Sequence, residues 1–431
     1  MDSSGVTTTP TYQLNPRVKS LRPSATLAMN ERSAQLAREG REIYKLGFGQ
    51  SPFPVPAPVV AALQANAFQK DYLPVKGLPA LRVAVAEFHR RWHDLPATAE
   101  DILIGPGSKE LLFLAQLVYQ ADLILPAPSW VSYEPQARLL GLDTHWVPTR
   151  GEDGWRLTPE GLEQACQGVE TRPRMLILNY PNNPTGLSYD AAQLEALAQV
   201  ARRHRLLIVA DEIYGELHHE GAHVSIARFY PEGVIVSGGL SKWCGAGGWR
   251  LGTFCFPANL RWLLDAMACV ASETFSCVAS PVQHAAVTAF ERDQTIERYL
   301  KQSRRILRAL GRIVSQRLRT AGVNAPAPDG GFYLYPDFTP HAERLRARGL
   351  TTSAALCERL LDDTGVALLP GSDFGRPATE LACRLAYVDF AGAECLLAAE
   401  RIPLEEELSE QFLIEHCGRV LTAIDLLGEW L

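Results

Sequence analysis

Short apolar runs alternate with amphipathic stretches through most of this chain. Six runs read as strands: DILIGP (101–106), ADLILP (121–126), RMLILNY (174–180), LLIVAD (206–211), GVIVSG (233–238) and GTFCF (252–256). Helical patterns lie between them, for example LSYDAAQLEALAQVARRHR at 187–205. Strand–helix alternation of this kind predicts an α/β fold, a largely parallel sheet with helices on both faces. Upstream, PSATLAMNERSAQLAREG (23–40) has helical spacing and stops at Gly40. The proline cluster SPFPVPAP (51–58) marks an extended connection. A long helix over 291–320 leads to a second, smaller unit. The expected division is an N-terminal segment, 1–57, packed on the small domain; a large domain, 58–325; and a small C-terminal domain, 326–431.

Composition narrows the function classes. Of 431 residues, 47% are apolar and 21% charged, an ordinary globular mixture. The 42 basic and 48 acidic residues give a net charge of −6, which argues against a nucleic-acid groove. No apolar run approaches a membrane span. The start, MDSSGVTTTP, has neither a basic nor an apolar leader character and reads as a tail. Nine scattered cysteines form no CxxC pair, so no cysteine-based zinc site and no metal is expected. The odd count without a secretory signal disfavours a disulfide framework. The expected setting is the cytoplasm.

Three polar groups sit where strands should end. LIVADEIYGEL puts Asp211 directly after an apolar run, with Tyr214 three residues on. NYPNNPTG (179–186) is a tight polar turn after RMLIL, and SGGLSK puts Lys242 after GVIV. Taken singly, such an Asp is usually a cap or turn residue and a lone Lys a solvated charge. Taken in order, they converge on one crevice at the carboxyl ends of a parallel sheet. GPGSKELLF (105–113) adds a glycine-rich turn opening a helix, whose free N–H groups suit a phosphate. It lacks the spacing of a Walker loop, and GAGGWRLG lacks that of a dinucleotide fingerprint.

NYPNNPTG, ADEIY and SK-x₇-R-x-G, in this order, resemble the class I/II aminotransferases of fold type I, which use pyridoxal 5′-phosphate (PLP). The resemblance runs from RPSATLAM near Arg22 to CRLAYVDF near Cys383, and is nearest to the aspartate and aromatic subgroup. It implies a large, mainly parallel seven-stranded sheet domain beside a smaller α+β domain. Lys242 matches the lysine that forms a Schiff base with the cofactor aldehyde. Asp211 matches the carboxylate that keeps the pyridine nitrogen protonated. Asn183 and Tyr214 match the pair that holds the ring oxygen, and Trp130 the aromatic that stacks on the ring. Ser108, Lys109 and Arg250 match the phosphate cradle, with a hydroxyl from Ser241 or Ser237. Many relatives place Ser three residues before the lysine, where this chain has Gly239.

Tyr72 resembles the tyrosine that reaches the phosphate of a neighbouring subunit, which implies a homodimer with shared sites. Arg384 matches the arginine that clamps the substrate carboxylate, a task suited to its planar fork. Gly49, in LGFGQSP, matches a loop that closes over the substrate. Phe48, Phe275 and Tyr333 are candidates for the side-chain pocket.

The implied activity moves an amino group from an L-amino acid to a 2-oxo acid in a ping-pong cycle. The same scaffold also supports β-elimination, decarboxylation or oxidation, since fold and cofactor leave the bond choice open. A PLP-sensing regulator needs a DNA-binding domain ahead of this fold, and about 20 residues precede RPSATLAM.

Overall fold

A computed structural model describes residues 13–19, 21, 25–167 and 172–431. The sequence tail at 1–10 and Arg22 lie outside the described residues. Seven strands form the main sheet: β1 (Ile102–Gly105), β2 (Asp122–Ala127), β3 (Thr144–Pro148), β4 (Arg174–Asn179), β5 (Leu207–Asp211), β6 (Val234–Gly239) and β7 (Gly252–Cys255). Their order is β1-β7-β6-β5-β4-β2-β3, parallel except for β7, which runs against both neighbours. All six expected strands are present to within a residue or so at each end. The seventh, β3, is a half-exposed edge strand whose THWVP carries no apolar run.

Alternate residues of the strands feed two cores. Ile104, Leu176, Leu178, Ile208 and Val236 pack into one; Leu103, Leu125, Ile177, Val209 and Ile235 into the other. The period of two sends successive side chains to opposite faces, and both faces are covered by helices. Each fully buried Leu or Ile contributes roughly 1.5–3 kcal/mol of burial free energy. One covering helix, Ala191–Arg203, starts as its sequence dictates. Asp190 accepts from the Gln193 N–H while the Gln193 side chain accepts from the Asp190 N–H, a capping box.

A second sheet is small and antiparallel, with β8 (Tyr333–Leu334), β9 (Leu369–Pro370) and β10 (Cys383–Ala386) in the order β8-β10-β9. The long helix Gln294–Thr320, capped by Asp293, packs against the C-terminal helix Glu410–Trp430. The N-terminal strand-like segment threads beside this sheet. Tyr44 bridges Val366, and the Ala386 N–H donates to the Leu46 carbonyl at 2.7 Å. That path delivers residues 47–50 to the carboxyl ends of the main strands.

Candidate active site

Three parallel strands end level with one another. Asn179, Asp211 and Ser237 are direct Cα partners across β4, β5 and β6. The Asn179 amide donates to the Asp211 carbonyl at 2.7 Å and locks the two strand ends together. The Asp211 carboxylate is buried. Tyr133 donates its hydroxyl to Oδ2 at 2.6 Å, and Ser237 donates to Oδ1 at 3.4 Å. Burial pushes its pKa up to about 6, against the pull of these hydrogen bonds. Among the described residues no cation pairs with it.

Lys242 follows β6 and reaches back across the cleft. Its Nζ donates to the Gly49 carbonyl at 2.9 Å and lies 5.6 Å from the centre of the Tyr214 ring. Burial and then the Arg384 charge lower its pKa to about 8, with Asp211 acting the other way. The neutral amine is therefore available near physiological pH. Gly239 has φ of 148°, and a Cβ there would lie 2.7 Å from the Leu251 carbonyl oxygen. The approach of β7 excludes a serine at this position.

Tyr214, Tyr333, Asn183 and Arg384 form the opposite wall. The Tyr214 and Tyr333 hydroxyls are 2.9 Å apart. A Cβ on Gly49 would sit 1.8 Å from the Tyr333 hydroxyl, so this loop position admits only glycine. Arg384, in β10, is buried between the Tyr333 and Phe374 rings. It donates to the Asn183 side-chain oxygen at 3.1 Å and to the Gly47 carbonyl at 2.6 Å, while its Nε is buried without a partner. Both of these acceptors are neutral, and the Asp373 charge supports the guanidinium electrostatically.

The fourth side is the helix Ser108–Val118. Arg250 crosses its start, with Nη1 donating to the Gly247 carbonyl at 2.9 Å and Nη2 to the Pro106 carbonyl at 3.3 Å. Lys109 sits with its Nζ 5.0 Å from the Trp130 ring centre, and burial together with Arg250 lowers its pKa. Trp130 is half-buried and edge-on to Tyr133. Ser241 is half-buried, and its hydroxyl makes no hydrogen bond among the described residues.

One sequence expectation changes. Ser237 does not serve a phosphate, because its hydroxyl is fully buried against Asp211. Tyr72, expected to reach a neighbouring subunit, stands 88% exposed in this chain. Tyr133 carries no mark in the sequence. It lies three residues after Trp130, and nothing in that spacing shows its hydroxyl reaching β5.

The family described as aminotransferase class I and II matches residues 41–401. The chain belongs to this family. Among its similar proteins is a probable aspartate/prephenate aminotransferase of Thermus aquaticus, 35% identical over 84% of this chain and 92% of the relative. The aspartate aminotransferase of Geobacillus stearothermophilus is 34% identical, over 85% and 92%. The solved aspartate aminotransferase of Thermus thermophilus with maleate superposes with a TM-score of 0.83 at 30% identity, covering 98% of this chain and all of that one. This aminotransferase therefore transfers an amino group from an L-amino acid to a 2-oxo acid, and its α/β architecture is that of fold type I. No helix among its described residues is long and apolar enough to cross a membrane.

The charges of the aminotransferase cleft form a pattern of their own. Lys109, Lys242, Arg250 and Arg384 converge here, with the Asp211 charge acting on Lys242 and the Asp373 charge on Arg384. Four cations around the buried Asp211 carboxylate give the cleft a positive excess with one anion at its floor.

Proposed function

We propose that the cleft holds pyridoxal 5′-phosphate and performs transamination with the residues in the following roles. The observation that carries this reading is the buried Asp211 carboxylate held by two hydroxyls, set in a cleft where Lys109, Lys242, Arg250 and Arg384 converge. The ligand has the complementary set. Its phosphate suits the free N–H groups of Ser108 and Lys109 at the helix start, together with Arg250. Its ring nitrogen suits Asp211, which Tyr133 and Ser237 hold in place. Its ring oxygen suits Asn183 and Tyr214, and Trp130 offers the face to stack on. When bound, this cofactor supplies an aldehyde that takes up the amine and a ring that withdraws electrons from the substrate α-carbon.

The chain's own residues do the rest. Asp211 keeps a proton on the ring nitrogen, because an anion in a buried site stabilises a cation beside it. Arg384 binds the substrate carboxylate, with Asn183 and the Gly47 carbonyl fixing its plane. Lys242 is the base that removes the α-proton and returns it one carbon away, for which a pKa near the working pH is best. Tyr333 and the Gly49 loop close the cleft against water.

The donor is aspartate-like in this reading. With Arg250 on the phosphate and Arg384 on the α-carboxylate, Lys109 is the remaining cation for a second carboxylate. The aspartate names of the relatives and the maleate in a solved one support the same class. Tyr72 and Phe68, 88% and 75% exposed, are proposed to be covered by a second copy of the chain, with Tyr72 reaching the partner's phosphate. A cytoplasmic setting accords with this chemistry.

The test is a half-reaction with cofactor-loaded enzyme, L-aspartate and no oxo acid. Transamination releases one equivalent of oxo acid per site and stops until a second oxo acid is supplied. Continuous release of carbon dioxide from aspartate, or of pyruvate and ammonia from a β-substituted alanine such as a cysteine S-conjugate offered in its place, would replace this reading with decarboxylation or elimination. Lys109→Ala should lose aspartate in preference to apolar donors.

A further inference from the structure

One residue beyond Asp211, a second buried polar cluster gathers around Glu212. Its Oε1 accepts from the Tyr180 hydroxyl at 2.8 Å and the Ser225 hydroxyl at 2.7 Å. Its Oε2 is 2.9 Å from His223 Nε2 and 4.0 Å from His93 Nδ1. One ligand atom from each of these three residues falls in a group within 4.8 Å. We propose that His93, Glu212 and His223 bind one divalent transition-metal ion of the zinc class.

The hydrogen bonds around the cluster prepare these atoms. His93 Nε2 is 3.1 Å from Glu216 Oε1, and Glu216 is held in turn by Arg292 at 2.5 Å and Arg304 at 3.1 Å. A carboxylate on one imidazole nitrogen fixes the tautomer and leaves a lone pair on the other, the arrangement that orients metal-bound histidines. His93 Nδ1 is that other atom. It is buried, has no hydrogen-bond partner, and points toward Glu212. A hydrogen-bonded network alone leaves this atom desolvated and unpaired, which is costly.

Four ångströms is too long for a hydrogen bond. Two atoms each roughly 2.0–2.1 Å from a tetrahedral zinc lie about 3.4 Å apart, so a small approach of His93 toward Glu212 brings both within reach of one ion. Tyr180 and Ser225 occupy only Oε1, and an ion would take the place of the His223 hydrogen bond at Oε2. Two imidazoles and one carboxylate suit zinc and its neighbours; calcium and magnesium prefer all-oxygen sites. Three protein ligands leave a fourth position open, and His93 and His223 line a cavity of about 660 Å³ through which an ion or water can enter.

The site would tie three segments together: the end of the helix Pro79–Trp92, the end of β5 and the loop carrying His223. A bound ion therefore braces the strand end that carries Asp211.

The experiment starts from cofactor-loaded enzyme stripped with chelator and freed of it, with exposed cysteines alkylated. Zn²⁺ is titrated by calorimetry and Co²⁺ by visible absorption. One ion per chain is expected, with tetrahedral-type Co²⁺ bands and no thiolate charge-transfer band, and Zn²⁺ should raise the melting temperature. Glu216→Gln keeps all three ligands and should weaken binding about 10–100-fold. His93→Ala and His223→Ala should each abolish the stoichiometric site. Absence of a stoichiometric ion, thiolate bands, or equal affinity in wild type, Glu216→Gln and the histidine variants would overturn the proposal. Should a histidine variant fail to fold, wild type against Glu216→Gln still decides.

Discussion

Asp211 and Glu212 are neighbours in the chain, and their carboxylates live in opposite regimes. Burial lifts Asp211 to a pKa of about 6, against the pull of the Tyr133 and Ser237 hydroxyls. Burial also works against Glu212, yet His223, His93 and Ser225 hold it below the ordinary carboxylate range. The same contrast separates the cations. Arg292 and Arg304 sit on Glu216, whereas Arg384, Arg250 and Lys242 donate to backbone carbonyls. A buried charge is costly unless paired. The region that pairs its charges internally is held by them; the region that does not is built to be completed by a ligand.

The sharpest way to break this contrast is Lys242→Ala. In the proposed role its amine works at the α-carbon, so turnover should fall at least about 10⁴-fold, as when other chemically reacting side chains are removed. The protein should still fold and hold the cofactor without a covalent link. Borohydride reduction and peptide mapping check the assignment: label on a lysine other than Lys242 overturns it.

Next in size is a matched pair at the strand end. Asp211→Asn should cut turnover about 10²–10³-fold, the usual effect of losing one strong electrostatic contact. Its cofactor-free form should melt no lower than wild type, since a buried unpaired anion has gone. Glu212→Gln should do the reverse to stability. Truncating one side of a buried, paired charge costs about 3–5 kcal/mol, visible as a lower melting temperature. Equal melting shifts in the two variants would erase the distinction between the regions.

The Asp211 side of this contrast was legible in the sequence, and the reason is local. LLIVAD ends its apolar run at Asp211, so the strand and its polar end are read together. The same holds for RMLIL before the Asn183 turn and GVIV before Lys242. What was not legible lies at long sequence separation. Lys242 meets the Gly49 carbonyl 193 residues away, and Tyr133 meets Asp211 at a distance of 78. His93, Glu212 and His223 come from three segments and share no spacing that marks a site. β3 escaped because an edge strand need not be apolar. Gly239 looked like a departure from the family pattern; its backbone angle and the closeness of β7 explain it.

Two arginines separate substrate from cofactor. Arg384→Ala should raise KM more than it lowers kcat, because the carboxylate is held in ground and transition states alike. Truncating a charged contact in a closed site is worth about 2–5 kcal/mol, so KM should rise at least about 30-fold while the cofactor stays bound. Arg250→Ala should shed cofactor first. Cofactor content after dialysis, set beside KM, distinguishes them; the opposite pattern would exchange their roles.

The smallest effect is the most specific to the electrostatics. In wild type, burial and Arg384 hold Lys242 near pKa 8, more than two units under a free lysine at about 10.4. The rate at which cofactor-free enzyme takes up the aldehyde at Lys242 follows the neutral amine. It should rise through a midpoint near pH 8 and level off above it. Arg384 disfavours the ammonium by like charge, so Arg384→Ala stabilises the protonated form and moves the midpoint upward. Burial remains, so the midpoint should stay below that of a free lysine. Asp211→Asn removes a charge of the other sign and should move the midpoint down. Opposite displacements in the two variants would show that the amine is poised by these two charges; displacements of the same sign, or none, would leave burial as the sole cause.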